Sequence, residues 1–413
     1  MSIREFDRNQ VIQNVLNKHL KQRHAAHQLG LSTRQIRRLC RRARQDGKKG
    51  LIHGLRGKPS NHHLPIATLA RAVRLVKKHY PDFGPTFAQE KLLEINQVTL
   101  SVSALRNALI ADGHWKTHKQ HSFYRAWRER RPCVGELVQL DGSDHDWFEG
   151  RGPKCVLLPY VDDATSRVLY GQFIPVEDTL NLMAASWIYL ETQGRPLAFY
   201  VDKDSIYKIN RQATVDEEMR DSQPLTQFTR AMMELGIDVI TANSPQAKGR
   251  VERGHETHQD RLVKELRLAG ISTMEKANPF LRDIYFPQHN ARFAVAPANS
   301  TDVHRPLLKV HRLNEILSLR SPRVLAHDFT LRFQHRAFQL LADQPCRVRP
   351  GADIDVETRL DGSTHLRFKN CYLNFKPLPD SFRRAPARKL SPPVYKLRPG
   401  TLAYARTVQI ALT

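Results

Sequence analysis

Residues 136–147, ELVQLDGSDHDW, carry an aspartate, Asp141, inside an otherwise largely apolar extended run, and the reading of the central region turns on it. A carboxylate is costly to bury in a strand unless it is paired or bound to metal. Two further runs, KCVLLPYVD (154–162) and SRVLYGQFIPVE (166–177), read as strands joined by short turns. DTLNLMAASWIYLETQ (178–193) reads as a helix and Leu197–Val201 as a short buried strand. Pro224–Leu235 then reads as a helix, Ile237–Thr241 as a strand and Arg250–Leu268 as a long helix. The order βββαβαβα predicts an α/β core over 135–295 with a mixed five-stranded sheet and helices on its faces.

Two more acids stand at comparable places. Asp202 ends the buried strand in AFYVDKDS, and Glu252 lies in the first turn of a helix, after the loop NSPQAKG. Three carboxylates brought together at neutral pH repel one another. A divalent cation that prefers oxygen removes that cost, and Mg²⁺ is the usual choice where phosphates are also engaged. Two such ions can activate an attacking oxygen and stabilise a leaving one. Each acid also has a plainer reading. Asp141 could cap a turn with Gly142, Asp202 could be a turn carboxylate like Asp204 beside it, and Glu252 could complement the helix dipole. Asp144, Asp146 and Glu149 read as turn or surface groups, and Asp163 as the Asx residue of a hairpin turn.

Charge is spread unevenly around this core. Residues 1–60 hold 15 Lys/Arg against 3 Asp/Glu, half of the chain's net charge of +24. Within them, LKQRHAAHQLGLSTRQIRRLCRRARQDG (20–47) predicts a short helix, a turn at Gly30 and a second helix capped by Ser32. Ile36, Leu39, Cys40 and Ala43 share one face of that helix, while Arg34, Arg37, Arg38, Arg41 and Arg42 occupy the rest. This is the pattern of a helix-turn-helix DNA-binding domain spanning 1–58, with a solvated basic helix of a bundle as the alternative. A second helical unit, of winged or helix-turn-helix type, is expected over 66–113, with a capping box at Thr86/Gln89 and a last helix capped by Ser103. Residues 114–134, basic and aromatic, read as a linker lying along phosphates. Short alternating runs over 322–378, with a hairpin turn at LDGST, predict a small β-barrel. The Pro-rich basic tail 379–413 is expected to be largely extended.

Composition excludes several classes. Hydrophobic residues at 40% and charged residues at 26% supply enough apolar content for packed cores and rule out a wholly disordered chain. Apolar runs such as Cys155–Val161 fall far short of the roughly 20 residues that span a bilayer, and MSIREFDRNQ has no apolar segment of the secretory type. Five scattered cysteines fit a reducing cytosol without a disulfide framework. His114, His118 and His121 have helical spacing, but with Cys133 the only nearby thiol a zinc domain is not expected. There is no P-loop and no GxSxG, so DNA cutting by this chain should need neither ATP nor a covalent enzyme intermediate.

LVQLDGSDHDWFEGRG, YVDDATSR, YVDKDSIYKIN and NSPQAKGRVERGHETHQDRLVKELR resemble the catalytic core of the DDE transposases and retroviral integrases, which has an RNase-H-like fold. In detail they are similar to the insertion-sequence transposases grouped as ISNCY. The resemblance covers nearly the whole chain, including the helix-turn-helix front and the small C-terminal barrel. It implies that Asp141, Asp202 and Glu252 are the catalytic acids and metal ligands, holding two Mg²⁺ or Mn²⁺ ions. The 49-residue gap between the second and third acids exceeds the family's usual spacing, with residues 205–224 as the extra loop, and Asp204 stands as a second acid beside Asp202. Lys248, Arg250 and Arg253 flank Glu252 and read as facing phosphates, or else as a solvated helix start. The expected activity is binding of terminal inverted repeats followed by strand cleavage and transfer. The partners would be double-stranded DNA, at element ends and target, and further copies of the chain assembled on it. No membrane is expected, and the location would be the bacterial cytoplasm, at the nucleoid. Two other readings remain: a DNA-binding regulator with an inactive core, and a nuclease that cuts without joining.

Overall fold

The computed structural model describes residues 3–52, 64–116, 128–209, 225–242 and 249–379. The chain divides into two units at residues 122 and 123. In the first, α1 (Ile3–Leu16), α2 (Gln22–Leu29) and α3 (Thr33–Asp46) close around Ile12, Ala25, Ile36, Leu39 and Leu51. Gly30 takes the left-handed conformation, with φ 63°, that ends α2. Ser32 Oγ accepts from the backbone N–H of Gln35 at 3.2 Å and starts α3 three residues later. A second core joins α4 (Ile66–His79), α5 (Pro85–Glu94) and α6 (Val102–Ala111) through Val76, Phe83, Phe87, Leu92, Leu105 and Leu109. Two expected caps differ. Gly84 precedes α5 with Pro85 in its first turn, so no Thr86/Gln89 box forms, and Gln89 Nε2 instead donates to Leu100 O at 3.1 Å. Ser101, not Ser103, caps α6, accepting from Ala104 N at 3.1 Å. Among the described residues of 64–116 there is no strand to form a wing.

The second unit is built on a mixed sheet. β1 (Leu137–Leu140), β3 (Cys155–Asp162) and β4 (Val168–Ile174) pair antiparallel, while β1, β5 (Ala198–Val201) and β6 (Asp238–Thr241) run parallel. The order is β4-β3-β1-β5-β6, and β2 (Ser143–His145) continues the line of β1 along β3 in the same register. Asp141 and Gly142 therefore fall between two strands rather than inside one. Pro159, which that register sets opposite Asp141, has no N–H to offer the ladder. One face packs on α7 (Thr179–Gln193) and α8 (Gln227–Glu234) through Met183, Tyr189, Phe199 and Phe228. The other packs on α9 (Gly249–Leu268), α10 (Met274–Phe280), a π-helical turn (Leu281–Tyr285) and α11 (Phe286–Phe293) through Phe148, Leu157, Leu262 and Leu281. Two asparagines clamp edge strand β4. Asn278 bonds the N–H and C=O of Phe173 at 2.7 and 3.2 Å, and Asn290 those of Val168, both at 2.8 Å. They occupy groups that an exposed edge would offer to another chain.

In the stretch read as a linker, Arg128 and Arg130 turn inward, while the side chain of Arg131 stays exposed. Asp163, fully buried, accepts from the Arg128 guanidinium, from Arg131 N at 2.9 Å and from Gln139 Nε2, while Arg130 bonds Ser166 Oγ at 2.8 Å. The Asx turn is made by Asp162 instead, which accepts from Thr165 N at 2.9 Å.

After α12 (Leu313–Ile316) the chain forms two small sheets where a closed barrel was expected. β7 (Ser318–Val324), β10 (Asp353–Arg359), β11 (Thr364–Phe368) and β12 (Cys371–Tyr372) make one. β8 (Thr330–Phe333), β9 (Arg336–Leu340) and β13 (Phe375–Pro377) make the other. They share a core of Leu331, Phe338, Ile354, Val356 and Leu366, but no ladder joins the sheets among the described residues. β7 is fastened to α8: Arg320 forks onto Glu234 at 2.6 and 2.9 Å, and Gln227 bonds the backbone of Arg320 at 2.8 and 2.9 Å. The tail 380–413 lies outside the described residues.

Candidate active site

The parallel register pairs Val138 with Phe199 and Gln139 with Tyr200. Carried two residues further, it sets Asp141 opposite Asp202, at the ends of neighbouring strands about 4.8 Å apart. Alternation places both on the face of Leu137, Ala198 and Tyr200, away from the α7 core. Asp202 sits just past the end of β5, and its Oδ1 accepts from Asp204 N at 2.9 Å. Asp204 has left the strand. Its carboxylate closes the next turn, accepting from Ile206 N at 3.0 Å. The strand geometry thus singles out Asp202 as the partner of Asp141.

A fourth acid, Glu177, joins this group from the end of β4. Its carboxylate occupies the space where a side chain at position 142 would stand, so any larger residue there would displace Glu177. Tyr207 Oη donates to Glu177 Oε1 at 3.2 Å. Burial raises the Glu177 pKa above the usual carboxylate range, and the charges of Asp141, Asp202 and Asp204 push the same way against the Tyr207 hydrogen bond.

Helix α9 closes the site from the other side. Val251 is buried, His255 Nε2 lies 3.3 Å from Asp141 Oδ2, and Gln259 Nε2 donates to Ser143 Oγ at 3.1 Å. Positions 252, 255 and 259 recur on one helical face, so Glu252 stands one turn before the residue that touches Asp141. Glu252 is half-buried in the first turn of α9, where the helix dipole favours an anion. Among the described residues, no three His, Cys, Asp or Glu side chains stand as a set able to hold a metal ion. The donor chemistry fits a hard divalent cation all the same. The converging groups are carboxylates, and the charges of Asp141, Asp202 and Asp204 add to the burial that raises the Glu177 pKa.

The remaining sequence candidates are placed as follows. Arg34, Arg37, Arg38, Arg41 and Arg42 are all exposed on α3, and Arg42 Nη2 also donates to Ile52 O at 3.3 Å. Arg253 is exposed on α9 and Arg250 lies in its first turn, while Lys248 falls outside the described residues. Asp146 caps a turn through Gly150 N at 3.0 Å, and Glu149 pairs with Arg151 and Arg267 at 3.6 and 3.5 Å. Sequence reasoning missed Glu177 and His255. Nothing local marks them, because a glutamate after a strand and a histidine within a helix are common surface residues.

A family model described as a helix-turn-helix domain matches residues 7–60. The Sinorhizobium fredii protein y4bF, named as a transposase, is 39% identical over 377 residues, covering 91% of this chain and 81% of that protein. The transposase for insertion sequence IS1202 of Streptococcus pneumoniae is 30% identical over 350 residues, covering 75% of this chain and 72% of the other. The chain belongs to the transposases of insertion sequences. Among solved structures, the simian T-cell lymphotropic virus intasome in complex with a PP2A regulatory subunit matches with TM-score 0.32 and 12% identity, over 73% of this chain and 97% of the other. The HTLV-2 integrase catalytic core with magnesium matches with TM-score 0.27 and 18% identity, over 37% and 88%. Among the described residues, no helix is long and apolar enough to cross a membrane.

Proposed function

We propose that this transposase cuts and joins DNA with Asp141, Asp202 and Glu252 as its catalytic acids, which would hold two Mg²⁺ or Mn²⁺ ions. The observation that carries the reading is the convergence of three distant segments. The β1–β5 register brings Asp141 to Asp202, and the His255 contact brings the Glu252 face of α9 to Asp141. The bound cation would supply charge neutralisation at the scissile phosphate and help to ionise the attacking oxygen. The protein's own part is to fix the geometry. Two strand ends and one helix, each packed into a core, hold the carboxylates at one edge of the sheet. In the first displacement, water cleaves a phosphodiester at the element end and leaves a 3′-OH. In the second, that hydroxyl attacks a target phosphodiester and displaces a new 3′-OH. The number of phosphodiester bonds is unchanged in the second step, so no nucleotide cofactor is required.

The exposed arginines of α3 supply phosphate and base contacts to the terminal repeats. Arg250, Arg253 and Lys248, which flank Glu252 in the sequence, would supply phosphate contacts near the acids. Joining two element ends in concert requires more than one copy of the chain on the DNA. Asp141→Asn and Glu252→Gln are the test, with labelled element ends and Mg²⁺. Each variant should lose at least about a thousandfold in cleavage and joining, as removal of groups stabilising transition-state charge does, while binding to the ends stays intact. Normal cutting by either variant overturns the assignment. Cut but unjoined products from the unaltered protein would make it a nuclease, and retention without cutting a regulator.

A further inference from the structure

We propose that His255 is the positioning residue of Asp141, a role that rests on the reading of Asp141 as a metal ligand. His255 is only 9% exposed, and its Nε2 points at Asp141 Oδ2 from 3.3 Å. Neither ring nitrogen makes a hydrogen bond of good geometry in the structure, to Asp141 or to any other group. A buried imidazole costs free energy unless its N–H finds an acceptor, and the Asp141 carboxylate, 3.3 Å from Nε2, is an acceptor within reach of a small rotation of either side chain. The ring is held in place by its helix. One turn before it, Val251 is buried in the core under the sheet, and one turn after it, Gln259 is tied to Ser143. The next histidine along, His258, bonds Tyr285 Oη at 3.0 Å and is buried. Helix α9 is therefore pinned on both sides of His255, and the ring is fixed relative to the Asp141–Gly142 break.

The consequence is chemical. Asp141 follows a strand end and precedes a glycine, so its backbone neighbours do little to fix its side-chain torsion. An N–H from His255 to Oδ2 would favour one rotamer of the carboxylate that the metal reading assigns to the cation. An outer partner of this kind orients the ligand before the ion arrives, and its loss commonly costs roughly 10–100-fold in metal affinity.

The experiment uses the full chain and Mn²⁺ alone, with the free-ion paramagnetic resonance signal reporting affinity without any reaction. His255→Leu keeps the volume and removes the donor; His255→Gln returns an N–H at about the position of Nε2; His255→Asn is polar but too short to reach. Leu and Asn should weaken Mn²⁺ binding roughly 10–100-fold, and Gln should restore it to within about threefold. In cleavage assays the Leu variant should need correspondingly more Mg²⁺ for half-maximal rate and recover most of its rate at saturation. Melting without metal identifies any variant that fails to fold, and Asn replaces Leu in that case. Unweakened Mn²⁺ binding by Leu and Asn overturns the inference, as does equal weakening by Leu, Asn and Gln. Asp141→Asn separates the two claims. If it binds Mn²⁺ and cuts normally, the metal reading itself falls; if it loses both while His255→Leu matches the unaltered protein, only the role of His255 falls.

Discussion

Two arginine-rich stretches in this chain have opposite fates. On α3, Arg34, Arg37, Arg38, Arg41 and Arg42 share a helix with a strictly apolar face, and every one is exposed. In 128–131, Arg128, Arg130 and the backbone of Arg131 turn inward onto Asp163 and the β3–β4 hairpin. Both stretches read as DNA-facing from charge alone. The difference lies in what the local sequence can satisfy by itself. A helix with its own core face must turn its arginines outward. A stretch without periodicity has no such constraint, and a buried aspartate elsewhere can recruit it.

That contrast breaks first at Asp163. Asp163→Ala would leave the Arg128 guanidinium and the N–H groups of Arg131 and Gln139 without their acceptor. A loss of about 3–5 kcal/mol is expected, as when one partner of a buried ion pair is removed, read from denaturant unfolding of the full chain. An unchanged midpoint would mean that the 128–131 arginines are as free as those of α3.

Acid should also strike the second unit. His258 and His289 pack as tilted rings with centroids 4.5 Å apart between α9 and α11. Burial is the main cause that holds both neutral. For His289 it pushes the pKa from 6.5 down to about 4, aided by Arg261. In the unfolded chain the ring gains its proton near pH 6.5, and in the folded chain only near 4. The unfolded state binds more protons in that window, so the stability is whole above pH 6.5 and is lost as pH falls toward 4. For His289 alone the loss is roughly 3 kcal/mol. His289→Phe should flatten the pH dependence of melting over that window; an identical profile would show that the ring titrates normally.

The α3 side is tested by binding rather than folding. Arg38→Ala with Arg41→Ala should leave melting within about 0.5 kcal/mol, weaken binding to element ends and lower the salt slope by about 2. An unchanged slope would remove these arginines from the DNA interface. Ser32→Ala should give the smallest effect, about 1 kcal/mol from the lost cap of α3. No loss at all would mean that tertiary packing alone starts the helix.

Much of the fold was legible for the same reason that α3 was. Leu105 and Leu109 in α6, the alternation of β10 and β11, and the LDGST turn each follow a period that a short window contains. The errors fell where two segments compete for one role. Ser101 and Ser103 are both adequate caps, and only the docking of α6 onto Phe87 and Leu92 selects the first. The barrel failed to close because strand count and alternation predict strands but not which edges meet. At the site, Asp141 was readable as an acid inside an apolar run and Asp202 as one ending such a run, although the structure ends the first strand before Asp141. Glu177 and His255 were not, because their significance lies entirely in a neighbour 36 and 114 positions away along the chain.

The residues alone were enough to specify a basic, multi-unit chain with a helix-turn-helix front and a mixed α/β core, since helix faces, caps and strand periods are short-range properties of the chain; the transposase reading came from its resemblance to a family. Pairing needed the folded molecule. The register that sets Asp141 across from Asp202, the glutamate whose carboxylate fills the space beside Gly142, and the helix turn that carries His255 to Asp141 are contacts between remote segments. Each is fixed by how whole elements pack, and no local window contains that information.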